Sequence, residues 1–383
     1  MNAVLNDKLK SEFVKRGFSR RHLGRIAAMM TGGAAAMPFF NEPALAQLSR
    51  VDNIPPDAVL INANENPLGP CVEAREAAHS MIQYGGRYRY SEGDKLQAIL
   101  AEQEGVKPNY VRIFAGSSGP LAQAPLAFTS PSRPFVTGDP SYESPMRFAK
   151  FIGAEVVRVP LLANKGYAHD VKAMAAVKNA GLIYICNPCN PTGTVTPKSD
   201  IEWLVANKPE GSIILIDEAY THISNEPFNS DLVAKDKDVI LLRTFSKIYG
   251  MAGLRAGAAI GRPDLLDKVS NWSTTMMPIT SMAAASASLQ VKNLVKERRK
   301  IIADTREDVF NFLEKKNISY VKSVSNCFMI DCKRDPYEVG AAMRKEKVIV
   351  GRVWPAWPTH LRVTVGTPDE MEKFKQAFTK VMG

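Results

Sequence analysis

Apolar residues in this chain fall into short runs separated by longer amphipathic stretches. Residues 111–114, 134–137, 182–186, 213–216, 239–242 and 258–260 are continuously or nearly continuously apolar. Each run is too short for a helix, and lacking a polar face it reads as a strand buried on both sides. The intervening segments carry apolar residues at helical spacing, as at Leu96, Ile99 and Leu100. Strands alternating with helices predict an α/β fold with a mostly parallel central sheet. After residue 280 the pattern changes. One long helical stretch, about 281–315, precedes apolar runs at 327–331, 348–350 and 361–365. These predict a second, smaller α/β domain.

The first residues follow neither pattern. Lys8, Lys10, Lys15, Arg16, Arg20, Arg21 and Arg25 form a basic leader. A mildly apolar stretch broken by Gly32 and Gly33 follows, and Ala44-Leu45-Ala46 then supplies a small-x-small cleavage site. Ser19-Arg20-Arg21-His22-Leu23 matches the twin-arginine export signal. The expected organisation is a signal peptide over 1–46, an arm over 47–84 joining the small domain, a large domain over 85–280 and a small domain over 281–383. An amphipathic N-terminal helix or a basic tail is the plainer reading of the leader. Export after cleavage at Ala46 implies the periplasm, with the twin-arginine machinery as partner. That route carries proteins already folded. No segment is apolar for the roughly 18 residues a spanning helix requires.

Charge and cysteine content remove several function classes. The formal net charge is +10, of which the leader's seven Lys/Arg and three Asp/Glu contribute +4. The densest basic run, residues 296–300, lies on a helical pattern and reads as a solvated face. With no helix-turn-helix or zinc-finger spacing, nucleic acid is not an expected partner. Five cysteines are few and odd in number. Cys186 and Cys189 have redox-motif spacing, but no second zinc-spaced pair follows, so structural thiols are expected and no metal.

The chemistry concentrates after the apolar runs. Run 239–242 leads to Ser246-Lys247, and Arg255 and Gly257 follow. A lysine there can form a Schiff base, Arg255 can hold an anion, and Ser246 can hold a phosphate oxygen. Run 111–114 leads to Ala115-Gly116-Ser117-Ser118-Gly119-Pro120 at the opening of a helix, where free backbone N–H groups bind phosphate. Run 134–137 precedes Tyr142, run 182–186 precedes Asn190-Pro191-Thr192-Gly193, and run 213–216 precedes Asp217-Glu218-Ala219-Tyr220. Asp217-Glu218 by itself also suits a Walker B element, but no Gly-x₄-Gly-Lys-Ser/Thr loop precedes it.

Across the whole chain after the leader, the order and spacing of these motifs resemble the fold-type I pyridoxal-phosphate enzymes. Within them the chain is similar to the histidinol-phosphate aminotransferases (class I/II). The resemblance implies a homodimer using pyridoxal 5′-phosphate to pass an amino group between an amino acid, or amine, and a 2-oxo acid. It makes Lys247 the Schiff-base lysine and Asp217 the partner of the pyridine nitrogen. Tyr220 and Asn190 contact the 3′-oxygen, Tyr142 stacks on the ring, and Ser118, Gly119, Ser246 and Arg255 hold the phosphate. Tyr88 resembles the tyrosine that reaches the other subunit's phosphate, with arginine following it where the family has proline, and Tyr90 competes for the role. Asn64 lies in the arm that covers the site. Arg362, in a Leu-Arg-Val-Thr-Val-Gly-Thr match, would grip the substrate α-carboxylate, and Arg352 falls where the subfamily holds a substrate phosphate. Trp354 and Trp357 either line the pocket or pack a domain edge. Gly119 or Pro120 stands where the family has an acid. Two other functions remain open at this stage. One is decarboxylation or elimination, as in the threonine-phosphate decarboxylases of the same fold; the other is a non-catalytic periplasmic binder.

Overall fold

The computed structural model describes residues 7–31, 54–273 and 275–383. The cleavage site Ala44-Leu45-Ala46 and its apolar approach from Gly32 onward lie outside the described residues.

Twelve strands are found among these residues: β1 (Val59–Ile61), β2 (Val111–Phe114), β3 (Phe135–Asp139), β4 (Val156–Pro160), β5 (Leu182–Cys186), β6 (Ile213–Asp217), β7 (Val239–Thr244), β8 (Gly257–Gly261), β9 (Tyr320–Val321), β10 (Cys327–Asp331), β11 (Val348–Val350) and β12 (His360–Thr364). Seven make the central sheet, in the order β2-β8-β7-β6-β5-β3-β4. Strand β8 runs antiparallel to both its neighbours, and the other pairings are parallel. This is the mostly parallel sheet expected from the uninterrupted apolar runs. Alternate residues of a strand point to opposite faces. Ile183 and Ile185 of β5 accordingly join one buried cluster, and Leu182, Tyr184 and Cys186 join the other. Parallel strands all end on the same edge, so the loops after β2, β3, β5, β6 and β7 converge there. Ligands of open α/β sheets bind at that edge.

The C-terminal region is a three-stranded antiparallel sheet, β12-β10-β9, flanked by the helices Leu294–Lys315, Pro336–Lys345 and Pro368–Met382. Strand β1, from the arm, pairs in parallel with β11. The expected single helix over 281–315 is instead two, Ile279–Gln290 and Leu294–Lys315. Asn293 takes a left-handed backbone (φ 70°) at the break, a conformation no continuous helix contains.

Residues 7–31 of the leader are folded. Helices Asp7–Lys15 and Arg20–Thr31, with the turn between them, bury Phe13, Phe18, Leu23 and Ile26 in the cluster that also holds Leu121, Phe128 and, partly buried, Trp272. Arg16 donates to the carbonyl oxygens of Leu126, Ala127 and Thr129, at 3.1, 3.1 and 3.0 Å. Those carbonyls end the helix Ser118–Phe128, where a cation meets unsatisfied acceptors and the negative end of the helix dipole. Arg20 and Arg21 remain exposed.

Candidate active site

A cavity of about 520 Å³ opens at the converging strand ends. Its lining includes Asn64, Ser118, Tyr142, Asn190, Asp217, Tyr220, Ser246, Lys247, Arg255, Arg352 and Arg362, eleven of the residues singled out from sequence.

Lys247 sits in the loop that turns β7 back into β8. The Thr244 hydroxyl organises the turn, accepting from the Ser246 N–H at 3.1 Å and donating to the Ser246 hydroxyl at 3.0 Å. The Lys247 amine donates to the carbonyl oxygen of Asn64 at 2.8 Å and lies 5.6 Å from the centre of the Tyr220 ring. Exclusion of bulk water and the nearby Arg362 guanidinium lower its pKa from 10.5 to about 8. Near neutral pH a useful fraction is therefore free amine, the form that attacks carbonyl carbon or accepts a proton.

Asp217 ends β6 beneath the same cavity. Burial raises its pKa to about 6, against the opposing effect of a hydrogen bond from the Tyr184 hydroxyl at 3.0 Å. A second bond comes from the N–H of Ala219 at 3.2 Å. A buried carboxylate held up in this way is best stabilised by a cation such as a protonated pyridine nitrogen. Tyr220, three residues on, accepts from the Asn64 side-chain amide at 3.0 Å. Opposite stands Arg362 on β12. It donates to the Asn190 side-chain carbonyl at 2.9 Å and to the Asn62 backbone carbonyl at 2.5 Å. With its carbonyl so engaged, the Asn190 side chain keeps its NH₂ as the group able to donate to a ring oxygen. The Arg362 Nε is buried and has no hydrogen-bond partner among the described residues.

The far end suits a phosphate. Helix Ser118–Phe128 begins there, and Arg255 donates to the Ser118 hydroxyl at 2.8 Å from a left-handed backbone (φ 58°). Two glycines keep this cradle open. A Cβ on Gly116 would collide with the Arg255 guanidinium, and one on Gly257 would sit 2.7 Å from the backbone of Gly116 and Ser117. Helix N–H groups, two hydroxyls and a guanidinium at one end, a buried carboxylate in the middle and an arginine fork at the other fit pyridoxal phosphate and an α-carboxylate substrate.

Two of the sequence candidates lie off the cavity wall. Gly119 is in the first turn of the helix, where a Cβ would make ordinary contacts (3.6 Å to Phe114), so no steric demand for glycine exists there. Tyr88 is 67% exposed and stacks on Tyr90 at 5.7 Å, away from its own chain's cavity. Trp354 is buried, its indole N–H donating to the Ser141 carbonyl at 3.1 Å and its ring lying under the guanidinium groups of both Arg352 and Arg362. Trp357 packs on Tyr167 instead. All five cysteines are free thiols, and Cys186 lines the cavity. No metal-binding cluster occurs among the described residues.

Sequence reasoning missed Tyr184, Thr364 and Glu143. Tyr184 is a polar tip inside an otherwise aliphatic strand, which was the available signal. Thr364, which bonds both the N–H and the side chain of Asn64, is 300 residues away from it in sequence. Glu143 follows Tyr142 and pairs with Arg352 at 3.0 Å.

The family model for aminotransferase class I and II matches residues 56–378. The histidinol-phosphate aminotransferase of Symbiobacterium thermophilum is 32% identical over 335 residues, which span 85% of this chain and 91% of that protein. A crystal structure of the Sinorhizobium meliloti histidinol-phosphate aminotransferase in complex with pyridoxal-5′-phosphate superposes with a TM-score of 0.75. It is 26% identical, over 84% of this chain and 90% of that one. A Thermus thermophilus aspartate aminotransferase variant shares the fold, with a TM-score of 0.76 at 21% identity over 86% and 97% of the two chains.

Proposed function

Because the chain belongs to the aminotransferase class I and II family, and is a pyridoxal-phosphate-dependent aminotransferase, we propose that Lys247 is its cofactor lysine and Arg362 its substrate clamp. The observation that carries this reading is one cavity holding Lys247, Asp217 and Arg362 with a phosphate cradle at its end. Pyridoxal phosphate, when bound, supplies an electrophilic carbon for the donor's amine and a ring that takes up the electrons left on the donor's Cα. The Lys247 amine would serve as the base that takes the donor's Cα proton and as the acid that returns it. Asp217 would pair with the pyridine nitrogen, Tyr220 and Asn190 would hold the 3′-oxygen, and Tyr142 would pack on the ring. Ser118, Ser246, Arg255 and the helix N–H groups orient the phosphate. Arg362 aligns the α-carboxylate so that the Cα–H bond faces Lys247.

The active form in this reading is a homodimer, with Tyr88 of each chain completing the other's phosphate site. Support comes from Tyr88 and Tyr90, stacked on each other and 67% and 66% exposed. A fully active monomer would overturn it. The protein is also read as exported through the twin-arginine route, whose signal residues Arg20 and Arg21 stand exposed on a folded chain. An exported enzyme is out of reach of cytoplasmic histidine synthesis, so its donor is an amine other than histidinol phosphate. Cytoplasmic protein that begins at Met1 would remove that argument.

The test of the central reading is spectroscopic. The visible absorbance of the lysine-bound cofactor should be bleached by an amino donor and restored by a 2-oxo acid, and Lys247→Ala should abolish the cycle. Absorbance that no donor bleaches would overturn the reading.

A further inference from the structure

The substrate end of the cavity holds two guanidinium groups, but one of them is already neutralised. Arg352 donates to Glu143 at 3.0 Å, and their side chains are 11% and 17% exposed. Among the described residues Arg362 pairs with no carboxylate; it donates to the neutral oxygens of Asn190 and Asn62. Both arginines lie over the Trp354 ring, their guanidinium carbons 4.7 and 5.2 Å from its centre. The indole is itself tethered to Ser141, so neither arginine can be moved without disturbing a packed wall. Two positive charges and one negative leave a surplus of one positive charge, enough for a single carboxylate. Glu65, exposed on the cavity's rim, acts on the Lys247 amine and stands outside this count.

A second anionic group arriving at Arg352 would have to lie beside Glu143 or displace it. The first arrangement places like charges together in a partly dry pocket. The second leaves a half-buried carboxylate close to Asp139, whose own pKa burial and Glu143 raise against the opposing pull of Arg158. A neutral side-chain end meets neither obstacle. A carboxamide, phenol or imidazole can donate to a Glu143 oxygen and accept from Arg352 while leaving the pair intact.

We propose that Glu143 is a specificity-determining residue, selecting donors with one carboxylate and a neutral, hydrogen-bonding side chain over donors whose side chain ends in carboxylate or phosphate. The inference rests on the transaminase reading and on Arg362 as the α-carboxylate clamp. It assigns to Arg352 a role opposite to phosphate capture: the arginine is present, and its charge is spent.

The test uses holoenzyme and two isosteric pairs, glutamine with glutamate and asparagine with aspartate. Amino transfer to the cofactor is followed in single turnovers, giving kcat/KM for each donor. The native protein should favour the amide of each pair, and Glu143→Gln should shift the ratio toward the acid by roughly 100-fold. Adding Arg352→Met to Glu143→Gln should remove that shift. A purely structural role for Glu143 would lower all four rates together and leave the ratios unchanged, which would overturn the proposal. A native preference for the acids would also overturn it. It would mean that Glu143 swings into the adjoining cavity of about 640 Å³, where Arg147 and Lys150 stand. A holoenzyme that transfers from none of the four donors, nor from any other amine, would sink the transaminase reading and this inference with it. Transfer without the ratio shift would sink the inference alone.

Discussion

The amine of Lys247 donates to the backbone carbonyl of Asn64 at 2.8 Å, across 183 residues of sequence. Asn64 adopts a left-handed backbone (φ 53°), which asparagine tolerates better than most residues. The same residue donates from its side chain to Tyr220 and accepts from Thr364. The arm is thereby joined to the loop after β7, the loop after β6 and strand β12. In this enclosure the Lys247 amine has a pKa of about 8, well below its ordinary value. A lowered folded-state pKa means that the ammonium form costs stability below about pH 8, and that the cost fades as pH rises toward the ordinary value near 10.5. Capture of pyridoxal phosphate by cofactor-free protein needs the neutral amine. Stopped-flow capture rates should therefore rise with pH around a midpoint near 8. A midpoint near 10.5 would show that the amine is not enclosed.

Asp217 has the opposite sign. Burial raises it to about 6, so its ionised form burdens the cofactor-free fold above pH 6, and the burden disappears as pH falls toward the unfolded value near 3.9. Asp217→Asn should stabilise cofactor-free protein at pH 7.5 by about 1–3 kcal/mol, since each pKa unit corresponds to about 1.4 kcal/mol. Transamination should fall by about 100-fold or more, the scale of losing one preorganised electrostatic group. Thermal melts and single-turnover rates on one preparation would test both.

Arg362→Lys preserves the charge and loses the fork. The buried Arg362 spans Asn190 and Asn62 with separate nitrogens, and an ammonium on a shorter stem cannot. Losing one charge-assisted bond to the α-carboxylate costs about 1.5–3 kcal/mol, so kcat/KM should drop roughly 10- to 150-fold. Cofactor affinity, measured by fluorescence titration, should stay close to native.

Stability behind the site depends on Arg243 at the end of β7. It bonds Glu104 through two nitrogens, at 2.6 and 2.8 Å, and also pairs with Glu218, next in sequence to Asp217. All three are deeply buried, and Arg243 holds Glu104 below the usual carboxylate range despite burial. Arg243→Met would strand two carboxylates and should cost about 3–5 kcal/mol. Urea unfolding would measure it, and Glu218→Gln should lose less because Arg243 retains Glu104.

The leader offers a local test. Arg16→Ala removes the cation from three helix-end carbonyls and should loosen the docked helices by about 1–2 kcal/mol. Trypsin should then cut at Arg20 or Arg21 about tenfold faster, while the melting temperature of the catalytic fold stays nearly constant. Unchanged cleavage would mean that Phe13, Phe18 and Ile26 alone hold the leader in place.

Much of this protein is written in local sequence. Runs such as 182–186 and 213–216 are apolar on both faces, and short strands of that kind are stable only inside a covered parallel sheet. Because parallel strands end on one edge, motifs placed after successive runs had to converge, and so Lys247, Asp217, Asn190 and Ser118 were legible as one site. The break at Asn293 was not, because the apolar pattern continues across it and backbone handedness leaves little trace in composition. Folding alone decided the long-range pairings. Glu143 reads as an ordinary polar loop residue, and Arg352 as a free cation, until the chain places them 3.0 Å apart across 209 positions. Asn64 likewise acquires its meaning from Lys247, Tyr220 and Thr364. A residue's type and neighbours state which bonds it can make, whereas the partner it meets, and hence its effective charge in the pocket, is a property of the packed whole.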